Sequence, residues 1–151
     1  MQFLGVRPAI PCDRPIERFD AENLAGSSPF AVDLGCPEGR DTVELQQRGW
    51  RVLAVDGETE AIARLQNRPD IAIDRLQTLV SRFENAILLE NVDLVNASFS
   101  LAFCQPEDFP QVWENIVKCL RSGGRFSGQL FGDRDSWAIY TSINHRTHPQ
   151  V

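Results

Sequence analysis

Two hydrophobic periods alternate along this chain. Phe30–Leu34 is an apolar run broken only by Asp33. Such a run, bounded by turn residues, suits a central parallel strand covered on both faces. Arg40–Gln47 predicts a helix with Val43 and Leu45 inward and Gly49 as its stop signal. Trp50–Val55 is rich in β-formers and predicts a second strand that ends at Asp56. Glu58–Asn67 predicts a second helix, with Ile62 and Leu65 at helical spacing and Pro69 beyond its end. Ile71–Phe83 is ambiguous: Asp74–Leu79 suits a helix, whereas Thr78–Phe83 alternates like a strand, and the third strand is placed there. Val92–Ala97 predicts a fourth strand. After Pro106 a helix is expected over Phe109–Arg121. Val112, Ile116, Val117 and Leu120 are its buried stripe, and Ser122-Gly-Gly124 is its terminator. Arg125–Phe131 alternates into a fifth strand. The order β-α-β-α-β-loop-β-α-β predicts an α/β fold: a mainly parallel sheet between two helical layers.

The flanks read differently. Residues 1–29 form an N-terminal arm punctuated by Pro8, Pro11 and Pro15, with a short helix over Ile16–Leu24 and a turn at Gly26–Pro29. The arm either packs over a ligand or lies on the surface. Residues 30–132 are the predicted domain, and 133–151 are a polar tail. At 151 residues one domain is expected. The formal charge of −6 argues against a broad grip on nucleic acid or anionic membrane. No apolar run approaches the roughly 20 residues of a membrane span. Met1–Arg7 lacks the pattern of a signal peptide, so a cytoplasmic location is expected. Cys12, Cys36, Cys104 and Cys119 contain no C-x-x-C pair, which predicts reduced thiols and no metal site.

Chemistry gathers at the strand ends. In parallel sheets ligands bind outside the carboxyl ends of the strands, where strand order reverses. Gly35 and Gly39 lie in the first turn and allow close backbone approach. Asp33 sits near the end of the strand before it. Asp56 ends the second strand, placed to accept hydrogen bonds from ribose hydroxyls. It also suits a cap on the helix beginning near Glu58. Asn96-Ala-Ser98 ends the fourth strand. A dinucleotide loop reads G-x-G-x-x-G and rests a pyrophosphate on the helix start. Here Pro37 stands at the middle glycine and Arg40 at the third. Asp33, Glu38 and Asp41 crowd the loop, with Arg40 as its cation. Carboxylates repel a pyrophosphate but tolerate a sulfonium and an ammonium. S-adenosylmethionine fits that charge better than NAD.

These residues carry a resemblance. Val32-Asp-Leu-Gly-Cys-Pro-Glu-Gly39 resembles the first motif of class I S-adenosylmethionine-dependent methyltransferases. Gly49–Asp56 is similar to their second strand with its ribose-binding acid. Val92–Ser98 is similar to their fourth-strand motif, and Leu120–Phe126 to the L-(R/K)-P-G-G segment before the fifth strand. Within the family, the small tellurite-resistance and thiopurine-type enzymes look most similar. The resemblance implies a Rossmann-like αβα fold and methyl transfer from S-adenosylmethionine to a small molecule. It implies that Gly35, Cys36, Pro37 and Gly39 flank the methionine and ribose, and that Asp56 holds the ribose. Phe83 and Glu84 would line the adenine, and Asn96 would offer backbone near the methionine end.

Two departures qualify it. Pro37 replaces the family's middle glycine, fixing φ and removing an N–H. The family also has seven strands, whereas five are read here, leaving the fifth as an edge for a second copy, a swapped segment or the tail. Both leave a second function open: a degenerate methyltransferase-like binding or assembly module. An NAD-dependent oxidoreductase is disfavoured by the loop. No catalytic base is assigned. His145 and His148 are expected to be solvated tail residues, and Asp133, Arg134, Asp135 and Trp137 suit either a substrate-facing or an ordinary loop. Trp50 and Trp113 are expected to pack.

Overall fold

A computed structural model describes residues 28–36, 38–86, 90–98 and 100–128. The strands are β1 (Phe30–Leu34), β2 (Arg51–Asp56), β3 (Leu76–Val80), β4 (Val92–Ala97) and β5 (Leu120–Gly128). Among the described residues the helices are α1 (Arg40–Gln47), α2 (Thr59–Gln66) and α3 (Phe109–Cys119). Among the described residues the sheet has five strands in the order β3-β2-β1-β4-β5. Every pairing is parallel. The order reverses between β1 and β4, so the crevice for a ligand opens at their C-terminal ends.

Alternation along the strands sorts the core into two layers. Val32, Leu34, Leu53, Val55, Val95 and Ala97 pack with Val112, Ile116 and Cys119 of α3. Ala31, Val52 and Leu94 point the other way, onto Leu45 of α1 and Trp50. Ala54 meets Ile62 and Leu65 of α2 on that side. Helices therefore cover both faces, as the element order requires. Helices α1 and α2 have only eight residues each. Isolated helices shorter than about 12–15 residues are marginal. Their buried faces against the sheet hold them. Each buried Leu, Ile or Val there contributes about 1.5–3 kcal/mol. Trp50 is fully buried, as expected.

Several boundaries differ from the sequence reading. Strand β3 lies earlier than Thr78–Phe83, because its register against β2 runs from Val52↔Leu76 to Asp56↔Val80. Ser81 and Arg82 fall past the end of β2, and Phe83–Asn85 forms a short 3-10 turn. Helix α3 stops at Cys119, and Leu120 is already extended. The segment Ser122-Gly-Gly124 does not terminate that helix. Leu120 pairs with Val92 and Arg125 with Leu94, so the residues between them swing out of register. Gly123 at φ +80 permits the excursion, and an Arg121–Asp93 ion pair pins it. Val117 is exposed rather than part of the buried stripe, and Cys119 takes that place. Trp113 is half-exposed, set between the rings of Phe109 and Phe126.

The predicted helix Ile16–Leu24, Cys12, Pro37, residues 129–131 of the expected fifth strand, and the tail with Asp133, Arg134, Asp135, Trp137, His145 and His148 lie outside the described residues. Among the described residues no helix is long and apolar enough to cross a membrane.

Candidate functional site

The turn after β1 is held from three sides. Gly35 N–H donates to the Val55 carbonyl at 2.7 Å, extending the β1–β2 ladder by one bond. Ser100 Oγ donates to the Leu34 carbonyl at 2.7 Å. Cys36 N–H donates to Asp56 Oδ2 at 3.1 Å. Gly35 has φ +73, and a Cβ there would lie 2.5 Å from Ser100 Cβ. Only glycine fits that conformation and that space. Gly39 has φ +69 and precedes α1 directly. A Cβ on it would lie 2.3 Å from Leu65 Cδ1. Gly39 thus lets α1 and α2 pack closely, a reason the sequence did not offer.

Asp56 stands where expected, at the end of β2. Its Oδ1 accepts Glu58 N–H at 2.9 Å, while its Oδ2 accepts from Cys36. The local reading of this acid is the one the bonds display: Oδ1 holds the amide of Glu58, the residue that opens α2, and Oδ2 faces the first turn. A carboxylate has about four acceptor positions, and these two bonds use only some of them.

Asp33 and Asn96 are cross-strand partners in the β1–β4 register and point toward α1. Both are buried. Asn96 Nδ2 donates to Asp33 Oδ1 at 3.0 Å and to Asp41 Oδ2 at 3.1 Å. Thr42 Oγ1 donates to Asp33 Oδ2 at 2.6 Å. Ser98 Oγ donates to Asn96 Oδ1 at 3.4 Å. This network locks the first turn of α1 onto β1 and β4. Thr42 and Ser100 were not singled out from the sequence. A polar residue at a buried helix position and a serine just past the fourth strand were the available signals.

Beyond Asp56 lies a cleft of about 190 Å³, lined by Gly57, Ser81–Glu84 and Phe103–Gln105. Phe83 Cζ lies 3.6 Å from the position of a Cβ on Gly35, joining the cleft to the first turn. Arg82 pairs with Glu84 at 3.0 Å. Pockets that hold a whole drug-sized ligand run to roughly 300–1,000 Å³, so the cleft suits a smaller, base-sized group. The nearby thiols are not nucleophiles at neutral pH. Burial, then Asp33 and Asp56, push Cys36 far up. Burial, then Glu84, Asp108 and Glu107, push Cys104 up. Both stay protonated, and the thiolate is the nucleophilic form.

Gly35, Cys36, Asp56 and Phe83 thus gather at one mouth, with Glu84 in the cleft wall. Asp33 and Asn96 lie beneath α1, and Gly39 lies against α2.

A profile of the methyltransferase domain matches residues 31–124, which is most of the region just described. The chain belongs to the methyltransferase-domain family. It is 26% identical over 140 residues to a carboxy-S-adenosyl-L-methionine synthase of Erwinia tasmaniensis, covering 83% of this chain and 54% of that protein. It is 31% identical over 138 residues to the synthase of the same name from Yersinia enterocolitica, covering 83% of this chain and 50% of that one. The chain therefore spans about half the length of the curated relatives it matches. Among solved structures it resembles the N-methyltransferase NodS of Bradyrhizobium japonicum WM9, determined with S-adenosyl-L-homocysteine. The TM-score is 0.63 at 20% identity, over 76% of this chain and 57% of NodS. This likeness establishes that the methyltransferase-family chain has the Rossmann-like methyltransferase fold.

Proposed function

We propose that this chain binds S-adenosylmethionine at the carboxyl ends of β1, β2 and β4 and transfers its methyl group to a small-molecule acceptor. One observation carries the reading. Asp56 ends β2 with a carboxylate that already holds the first turn, beside a base-sized cleft. Its remaining acceptor positions take the ribose hydroxyls. Phe83 and Glu84 flank the base. The backbone of Gly35, Cys36, Pro37 and Gly39 runs along the ribose and methionine, and Asn96 offers backbone at the methionine end. Asp33 acts through Thr42 and Asn96, setting where α1 begins.

Bound S-adenosylmethionine supplies an electrophilic methyl on a sulfonium. The chain contributes proximity and orientation. No catalytic base is assigned. The functional unit is the domain over 30–132. The finer placement among tellurite-resistance and thiopurine-type enzymes rests on motif resemblance alone. The curated relatives add a carboxylated S-adenosylmethionine as a ligand to test. A second copy pairing along the β5 edge is the proposed self-association, and the cytoplasm, where thiols stay reduced, is the proposed setting.

Calorimetric titration with S-adenosylmethionine, S-adenosylhomocysteine, carboxy-S-adenosylmethionine and NAD tests the reading. Micromolar binding of a sulfur ligand and none of NAD is expected. No heat from any sulfur ligand at millimolar concentration sinks it.

Pro37 favours a second reading, a module that binds weakly and does not catalyse. Proline removes an N–H from the loop and fixes its φ. Pro37→Ala restores the N–H, and Pro37→Gly restores both the N–H and backbone freedom. If the loop is impaired, both variants bind S-adenosylhomocysteine more tightly than wild type. Unchanged or weaker binding removes proline as a reason to doubt activity.

A further inference from the structure

The loop between Gly35 and Gly39 is also held from behind, by a residue that does not line the cleft. Arg68 lies just past the end of α2. Its Nη1 donates to the Glu38 carbonyl at 2.6 Å. Its other two nitrogens are engaged: Nε donates to Asp70 Oδ1 at 2.8 Å, and Nη2 to Asp70 Oδ2 at 2.7 Å. This bidentate fork fixes the plane of the guanidinium. The remaining Nη1 is thereby aimed at one carbonyl, 30 residues away in sequence. The stem of Arg68 also crosses Gly39, with Cδ 3.2 Å from where a Cβ would stand.

The neighbourhood gives this tether its importance. The front of the loop is fixed by Asp56 through Cys36 N–H. The back is fixed by Arg68 through the Glu38 carbonyl. Pro37 lies between those two points in sequence and has no N–H with which to make a hold of its own. The ends of the loop also meet through a turn bond, Gly39 N–H to the Cys36 carbonyl at 3.1 Å, and the two side-chain anchors tie Cys36 and Glu38 to the rest of the fold. A charged donor on a backbone carbonyl is among the stronger hydrogen bonds.

We propose that Arg68, oriented by Asp70, is a positioning residue that holds the Gly35–Gly39 loop in the shape that receives the adenosyl ligand. This rests on the S-adenosylmethionine reading above. Arg68 touches no ligand. Its removal lets the Glu38 end of the loop move, so the ligand must order the loop as it binds, and affinity falls.

The test compares wild type with Arg68→Ala, Arg68→Lys and Asp70→Asn. Affinity for S-adenosylhomocysteine is read by calorimetry well below each variant's Tm, and ligand-free Tm is read separately. Arg68→Ala is expected to bind about tenfold more weakly, the loss of one charge-assisted bond. Arg68→Lys keeps a donor without the fork and falls between. Asp70→Asn keeps the guanidinium but loosens its aim, and also falls between. Hydrogen exchange of the loop amides in the ligand-free protein rises in the same order. A purely structural role lowers Tm and leaves affinity and loop exchange unchanged in the folded protein, and that result overturns the proposal. Should Arg68→Ala fail to fold, the Lys and Asn variants carry the same comparison. If wild type itself binds no sulfur ligand, the cofactor reading falls and takes this inference with it. If wild type binds and all three variants match it, the inference alone falls.

Discussion

The carboxylate of Asp56 accepts the amide N–H of Cys36 at 3.1 Å. The acid that ends β2 thus holds the turn that follows β1, and its second oxygen holds Glu58 N–H at the start of α2. One side chain joins both βα units at the mouth of the crevice. A ligand that reaches this carboxylate meets a group already fixed in place.

Asp56→Ala removes both bonds and any bond to a ribose. Binding of S-adenosylhomocysteine is expected to weaken at least about tenfold, and stability to fall by about 1–3 kcal/mol. Asp56→Asn keeps one acceptor and recovers part of the stability. Its amide turns a donor toward one of the two N–H groups, so affinity recovers less. Calorimetry and urea unfolding separate the two effects. Wild-type affinity in Asp56→Ala means the ligand sits elsewhere.

Gly35→Ala tests the turn itself. The new Cβ would stand 2.5 Å from Ser100 Cβ, at a φ of +73. Left-handed strain and overpacking each cost about 1–3 kcal/mol. Ser100→Gly removes the opposing Cβ, but also the Oγ bond to the Leu34 carbonyl. The double variant is therefore expected to be less destabilised than the sum of the two singles. Strict additivity in urea unfolding would show that the clash is relieved some other way, leaving backbone strain as the whole cost.

How far was this site legible in the sequence? Strands β1 and β4 and helix α1 have the bounds that their apolar residues and flanking turns suggest. Gly35 and Asp56 stand out together. A nucleoside site needs a glycine past one buried strand and an acid ending the next, whereas core packing alone asks for neither. The third strand was misplaced because Thr78–Phe83 alternates well, while register against β2 decides where pairing stops. Ser122-Gly-Gly124 suggested a helix stop, yet glycine serves an excursion within a strand equally well. The work of Thr42, Ser100 and Arg68 was not legible. Ser100 and Arg68 act on carbonyls 66 and 30 residues away, and no local pattern marks a carbonyl that needs a donor; Thr42 meets Asp33 only because α1 folds back over β1.

The network beneath α1 rests on buried side-chain bonds. Thr42 Oγ1 donates to Asp33 Oδ2 at 2.6 Å, and both residues are buried. Thr42→Val keeps the shape and deletes the donor. A buried bond to a charged acceptor is worth about 1.5–3 kcal/mol, and urea unfolding should register that loss. Because Asp33 also accepts from Asn96, the variant remains folded. A loss under about 0.5 kcal/mol, the scale of an ordinary surface change, would mean that other donors compensate for Thr42.

Cys119 is buried between α3 and the sheet, and its Sγ donates to the Ile116 carbonyl at 3.1 Å. Ionisation would remove that donor and leave an anion in the core. Burial accordingly pushes the thiol from its ordinary 9.0 up to about 11. The folded state thus keeps a proton that the unfolded chain releases. Below pH 9 both states are protonated and the contribution to stability is fully present. Between pH 9 and about 11 the unfolded chain ionises first, and stability falls as pH rises. One such group removes at most about 1.4 kcal/mol per pH unit over that window. Cys36, pushed up by burial and by Asp33 and Asp56, acts in the same direction. Cys119→Ala is therefore less stable than wild type at neutral pH, from the lost contacts, but loses stability less steeply above pH 9. Urea unfolding across that range measures both slopes. Equal slopes would show that the Cys119 thiolate reaches water without unfolding.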